Sequence, residues 1–162
     1  MSGKRRRNNS PNKAMASVDI LIDDARWRSS FKTLRVDVAK AVRMVLKDFD
    51  TKGTGISLKF AADDEVEVLN YMYRGKKKPT NVLSFPNDEA PLGDIIFAFE
   101  TIKAEAKQQG KTLRAHTLHL VIHGTLHLLG YDHEKPKEAK EMEALEIAYL
   151  TRIRIANPYE GD

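Results

Sequence analysis

The stretch Leu113-Arg-Ala-His116-Thr-Leu-His119-Leu-Val-Ile-His123-Gly124-Thr-Leu-His127-Leu-Leu-Gly130-Tyr131-Asp132-His133 decides how this chain is read. It holds all 5 histidines of the 162 residues. Apolar residues fill most of the other positions, so the segment predicts a helix over about 112–129. Residues four apart on a helix lie one turn above each other on one face. His123 and His127 can therefore reach the same ion. Gly130 suits a left-handed helix stop, after which the chain can return His133 to that ion. Three imidazoles with one position left open form the ligand set of a catalytic zinc. The expectation is one Zn2+ per chain, held by His123, His127 and His133. Imidazole sites also accept iron, copper or nickel. A closed structural zinc would need a fourth protein ligand, for which Asp132 and Glu134 are the candidates.

The same spacing fits the metzincin protease pattern H-E-x-x-H-x-x-G-x-x-H. The residue after the first ligand is the general base in those proteases, and here it is Gly124. Glycine cannot accept a proton, so the protease reading loses its base. A bound zinc brings its water to a pKa near ~7 and needs no adjacent carboxylate to do so. At about 100° per residue, His116, His119, His123 and His127 fit one helix face roughly 80° wide. His116 and His119 can be read as packing or solvated residues. His119 can also be read as a group that orients water or contacts substrate.

Working outward, the elements predicted are a strand at 18–23, an amphipathic helix at 31–49 and a strand at 56–60. A short helix at 64–72 and strands at 80–85 and 92–99 follow, then helices near 100–109, 112–129 and 136–155. Phe31, Leu34, Val38, Val42, Val45 and Phe49 form the stripe of the first helix and belong to the core. The order predicts a single α+β domain: a four-stranded mixed sheet packed with about five helices, the metal site lying on a helix of the C-terminal half.

Composition bounds the function. Apolar residues make up 41% of the chain, enough for one core. No apolar run reaches membrane-spanning length, and the first apolar stretch, 18–22, is too short for a signal peptide. Cysteine is absent, which excludes disulfides and thiolate chemistry, and cytoplasm is the expected compartment. The formal charge is +4, but residues 1–17 carry five basic groups and no acid, which leaves the remainder at −1. That tail is predicted to be disordered, and can act as a basic arm for nucleic acid. An RNA-binding argument for the folded part needs a local basic patch instead.

Such a patch exists at Arg74-Gly-Lys-Lys-Lys78-Pro79, read as a loop. Most basic runs are merely solvated turns. Arg74, however, is set apart by Gly75, which would let a backbone or ligand approach closely. The guanidinium fork suits two-point contact with phosphate. Beside a metal, Arg74 would neutralise the charge that grows during phosphodiester cleavage.

These residues resemble a known family. His119-x3-His123-Gly-x-Leu126-His127-Leu128-x-Gly130-Tyr131-Asp132-His133 is similar to the signature of the YbeY family, bacterial zinc-dependent endoribonucleases. Leu69-Asn70-x3-Arg74-Gly75-Lys76-x2-Pro79-Thr80-Asn81-Val82-Leu83-Ser84-Phe85-Pro86, Leu92-Gly93-Asp94-Ile95 and Glu141-Met142-Glu143 agree with it. The likeness covers about residues 18–155 and leaves out the basic tail. It implies single-strand-specific RNA cleavage, maturation of the small-subunit ribosomal RNA 3′ end and ribosome quality control. It implies zinc on His123, His127 and His133, a catalytic Arg74, and partners in the small ribosomal subunit or its assembly factors. The division expected is a disordered basic tail at 1–17 and a metalloendoribonuclease domain at 18–158. Two other readings compete: a zinc peptidase or amidohydrolase with Asp94 or Glu134 as base, and a non-catalytic ribosome-assembly factor with a structural zinc.

Overall fold

The computed structural model describes residues 16–75, 80–86 and 92–160. The basic tail up to residue 15 and the lysines at 76–78 lie outside the described residues. Four strands, β1 (Ser17–Ile22), β2 (Gly55–Ala61), β3 (Val82–Pro86) and β4 (Gly93–Ala98), form one sheet in the order β1-β2-β4-β3. β1, β2 and β4 run parallel, and β3 pairs antiparallel with β4 at the edge. The mixed sheet agrees with expectation.

Six helices among the described residues accompany it: α1 (Ala25–Ser30), α2 (Leu34–Leu46), α3 (Asp63–Arg74), α4 (Phe99–Gln108), α5 (Leu113–Leu128) and α6 (Pro136–Arg152). α1 is the addition to the expected set. It spans only 6 residues, too few to show a periodic stripe. Asp24 caps it by accepting the Arg26 backbone N–H at 2.9 Å. Trp27 is its single buried residue and has no exposed surface. The Trp27 ring stands edge-on to Phe60 and Phe99, with centroids 5.2 Å from each. Its indole N–H donates to the Ala61 carbonyl at 2.9 Å, so the polar end is satisfied too. The helix expected at 31–49 is shortened to α2, because Phe31 closes α1 and Thr33 stands at the N-terminus of α2. All six residues of the predicted stripe are nonetheless buried.

α5 is the central helix, packed against α2, α4, α6 and β3. Most of its residues are buried, as expected for a helix that is apolar nearly all round. Its approach to the sheet is close at two glycines. Gly93 has φ +151°, and a Cβ there would lie 2.5 Å from the Phe85 carbonyl oxygen and 2.8 Å from Leu128 Cδ2. Gly93→Ala is therefore expected to destabilise the fold by about 2–4 kcal/mol, through backbone strain and overpacking together. A urea midpoint unchanged from the wild type would refute this.

Candidate active site

α5 begins at Thr112, whose hydroxyl accepts the Ala115 backbone N–H at 3.0 Å. It ends as the sequence predicts. Gly130 has φ +101°, its N–H donates to the His127 carbonyl, and the Tyr131 N–H donates to the Leu126 carbonyl. This pair of bonds is the Schellman stop. The chain then turns back through Asp132, whose Oδ1 accepts the N–H groups of His133 (2.7 Å) and Glu134 (3.2 Å). The turn brings the exposed His133 opposite His123, with ring centroids 5.3 Å apart.

The histidine stripe meets carboxylates from two neighbouring helices. His116 is buried, and its Nε2 lies 2.8 Å from Glu105 Oε1 of α4. Glu105 also accepts from the Asn81 side chain at 3.0 Å. Burial lowers the His116 pKa against the pull of Glu105. His116 thus ties α5 to α4 and to the approach to β3, which is the packing reading.

His119 and His123 share one carboxylate. Glu146 of α6 has no exposed surface. Its Oε1 lies 2.6 Å from His119 Nε2 and its Oε2 lies 2.9 Å from His123 Nδ1. The Tyr159 hydroxyl donates to the same Oε1 at 2.5 Å, and the Tyr159 ring stands edge-on to His119. Burial pushes the Glu146 pKa up, but hydrogen bonds from His119, His123 and Tyr159 prevail and hold it down to about 2. Burial and the Glu146 charge in turn keep the Tyr159 phenol protonated. An ionised carboxylate only accepts, so His123 donates from Nδ1, which places the lone pair of the neutral ring on Nε2. His127 is half-buried, and burial, followed by the charge of His123, lowers its pKa and favours the neutral ring.

Sequence reasoning missed Glu146 and Tyr159. A signal for Glu146 existed: it falls on the apolar stripe of α6 with Met142, Tyr149 and Leu150, where a carboxylate must have partners. Tyr159 carried no such signal.

Arg74 is not in a loop. It is the last residue of α3, and Gly75, at φ +67°, caps the helix in the left-handed conformation. A Cβ at Gly75 would meet nothing within 4 Å, so its role is the helix stop and not close approach. Arg74 is exposed, and its Nη2 donates to the Ser84 carbonyl at 3.3 Å on edge strand β3. Ser84 is also a neighbour of Gly124: a Cβ on Gly124 would lie 3.6 Å from Ser84 Oγ and 3.0 Å from Ile95 Cδ1. Ser84 therefore touches both Arg74 and the helix turn that carries His123. A glutamate at position 124 would run into β4, so the metzincin base has no room as well as no side chain. Asp94 does not supply one either. It alternates with Ile95 along β4, and Ile95 is the residue turned towards α5. Asp94 is exposed on the opposite face of the sheet. Glu134 is exposed in the turn.

The structure thus brings His123 and His133 together and hangs His119 and His123 on Glu146. Among the described residues, no three His, Asp or Glu side chains form a finished metal-binding group. The arrangement defines an α+β domain with an imidazole-lined helix face and an arginine at the neighbouring sheet edge. Residues 21–154 match the family model described as Endoribonuclease YbeY. The chain belongs to the YbeY endoribonuclease family. It is 42% identical over 149 residues to Endoribonuclease YbeY of Gluconobacter oxydans, covering 89% of this chain and 88% of that protein. It is 42% identical over 151 residues to Endoribonuclease YbeY of Azorhizobium caulinodans, covering 88% and 95%. The solution structure of TM1509 from Thermotoga maritima shares the fold, with a TM-score of 0.55 and 24% identity over 90% of this chain and 97% of that one.

Proposed function

We propose that this protein is a zinc-dependent endoribonuclease that cleaves single-stranded RNA, with one zinc per chain on His123, His127 and His133. The family supports the ribonuclease part of this reading. The zinc part is carried by one observation: Glu146 holds His123 through Nδ1, and the His123 and His133 ring centroids stand 5.3 Å apart. A Zn–N bond of about 2.0–2.1 Å and tetrahedral angles set two ligand rings on one ion roughly 5 Å apart, centre to centre. A carboxylate behind a histidine is also how ligand tautomers are commonly held. His127, kept neutral by burial, can donate a lone pair from the same helix face.

When bound, the ion supplies Lewis-acid polarisation of a phosphoryl oxygen and activates the nucleophile. The chain's own residues do the rest. Arg74 uses one nitrogen on the Ser84 carbonyl, which leaves the rest of its fork for the scissile phosphate. Glu146 prevents His123 from turning its lone pair inward. His119, on the other oxygen of Glu146, keeps that carboxylate ionised and in place. The biological setting that fits this chemistry is maturation of the small-subunit ribosomal RNA 3′ end and ribosome quality control in the cytoplasm, on the small subunit or its assembly factors. No helix among the described residues is long and apolar enough to cross a membrane.

Metal analysis coupled to a ribonuclease assay tests the reading. About one zinc per chain is expected, with cleavage of single-stranded RNA lost in chelator and restored by zinc. Full activity in metal-free protein would overturn it. Unfolding of the whole domain on metal removal would point instead to a structural zinc in an assembly factor. Hydrolysis of casein but not RNA would favour the peptidase.

A further inference from the structure

The sheet has two unlike faces. Ile56, Leu58, Phe60, Ile95 and Phe97 alternate onto the face buried with α2 and α5. On the other face, the registers align Asp19 with Ser57, Ser57 with Asp94, and Asp94 with Phe85. α3 covers only one end of that face, where Ala61, Val66, Leu83 and Ala98 make a small second core. Beyond it, a cavity of about 540 Å3 opens between the strands and the last turns of α3.

The lining of this cavity selects for a flat, neutral ring. Leu69 and Ile96 give it apolar surface. Tyr73 forms a wall, 66% exposed and edge-on to Phe85 with centroids 5.4 Å apart. The rim is acidic. Among the described lining residues, Asp19 and Asp94 are exposed, and the one lysine, Lys59, is bonded to Glu65 at 2.8 Å. Such a rim repels phosphate and accepts hydrogen bonds from amino groups. Arg74 stands at the sheet edge beside this cavity: Tyr73 directly precedes it, and Phe85 directly follows Ser84, whose carbonyl Arg74 bonds. A strand with its phosphate on Arg74 therefore has the adjoining base within reach of Tyr73. Single-stranded RNA is recognised in this way, by splayed bases stacked on aromatic side chains.

We propose that the cavity is a nucleobase subsite, holding one unstacked base next to the phosphate on Arg74 and favouring amino-bearing bases over uracil. This rests on the ribonuclease reading above. Cytosine, adenine and guanine each offer an exocyclic amino donor to Asp94 or Asp19. Uracil offers carbonyl oxygens at those edges and a single ring N–H.

The test uses the full chain with fluorescein-labelled octanucleotides: oligo(C), oligo(U) and an abasic octamer. Anisotropy is read in chelator, so that binding is measured without cleavage. Oligo(C) is expected to bind about tenfold tighter than oligo(U). Tyr73→Ala should weaken oligo(C) by about 5- to 100-fold and leave the abasic octamer unchanged. Asp94→Asn should bring oligo(C) and oligo(U) to equal affinity. Both side chains are exposed, so thermal melting should be unaffected, and it serves as the control for folding. Wild-type oligo(C) affinity in Tyr73→Ala overturns the subsite. So does a dimer that Tyr73→Ala dissolves without changing RNA affinity, which would assign the face to a second copy of the chain. The two readings fail separately. Oligonucleotides bound in the expected pattern but never cut after zinc is restored would overturn the ribonuclease alone. Cleavage by Tyr73→Ala with unchanged KM would overturn the subsite alone.

Discussion

Arg74→Ala is expected to slow cleavage of single-stranded RNA on the order of 10²–10³-fold, the loss typical of one electrostatic contact made in the transition state. The fold should not notice the change. The side chain is exposed, and its hydrogen bond to the Ser84 carbonyl, at 3.3 Å, is long. Surface changes of this kind fall within about ±0.5 kcal/mol. Arg74→Lys should recover little, because an ammonium cannot bond Ser84 and bridge two phosphate oxygens in one plane. Single-turnover kinetics with saturating enzyme separates this from weaker binding. The loss should appear in the rate of the chemical step, with a smaller change in the affinity for RNA. A variant that cuts at the wild-type rate would remove Arg74 from the mechanism.

Glu146→Ala is expected to cost about 3–5 kcal/mol of stability, because three side-chain donors lose their partner at about 1–3 kcal/mol each where they stay buried. The carboxylate has no exposed surface, and its loss strands His119, His123 and Tyr159 together. The milder Glu146→Gln keeps the shape but presents an amide that can accept on only one of its two arms. It should fold, and it should bind zinc about 10–100-fold more weakly, the usual effect of losing the group behind a ligating histidine. Urea denaturation and competition with a chromophoric chelator read these two effects independently of RNA cleavage. Acid should reveal the same carboxylate. Against the upward push of burial, hydrogen bonds from His119, His123 and Tyr159 hold its pKa down to about 2 in the folded protein against an ordinary value of 4.5. A depressed pKa means that the stabilisation is complete above pH 4.5 and is lost as the pH falls towards 2. The loss over that window is about 3 kcal/mol, and Glu146→Gln should lack it. Wild-type urea midpoints and zinc affinities in both variants would rule out the positioning role.

The stretch around α5 was almost fully legible, while its surroundings were not. The helix and its glycine stop follow from residues within one or two turns of each other, so spacing alone predicted them. The stripe from Phe31 to Phe49 was equally clear, and every member is buried. α1 escaped because 6 residues with one buried side chain leave no period to read. By sequence Arg74 reads as a loop residue, because the basic run after it has no helical period, yet α3 runs through Arg74 and stops at Gly75. Asp94 looked like a possible base because the sequence does not say which face of the sheet meets α5.

What the sequence determined by itself was local: three histidines at helical and turn spacing, a glycine where a protease would keep its base, and an arginine near the start of a strand. Near neighbours along the chain control these features through backbone geometry. What only the tertiary structure decided was company. Glu146 reaches His119 and His123 from a helix more than twenty residues further on. Ser84 joins Arg74 to the turn of α5 that carries His123, and Asp94 faces away across the sheet. Such placements depend on which faces pack together to bury apolar surface, and that is a property of the whole fold rather than of any one segment.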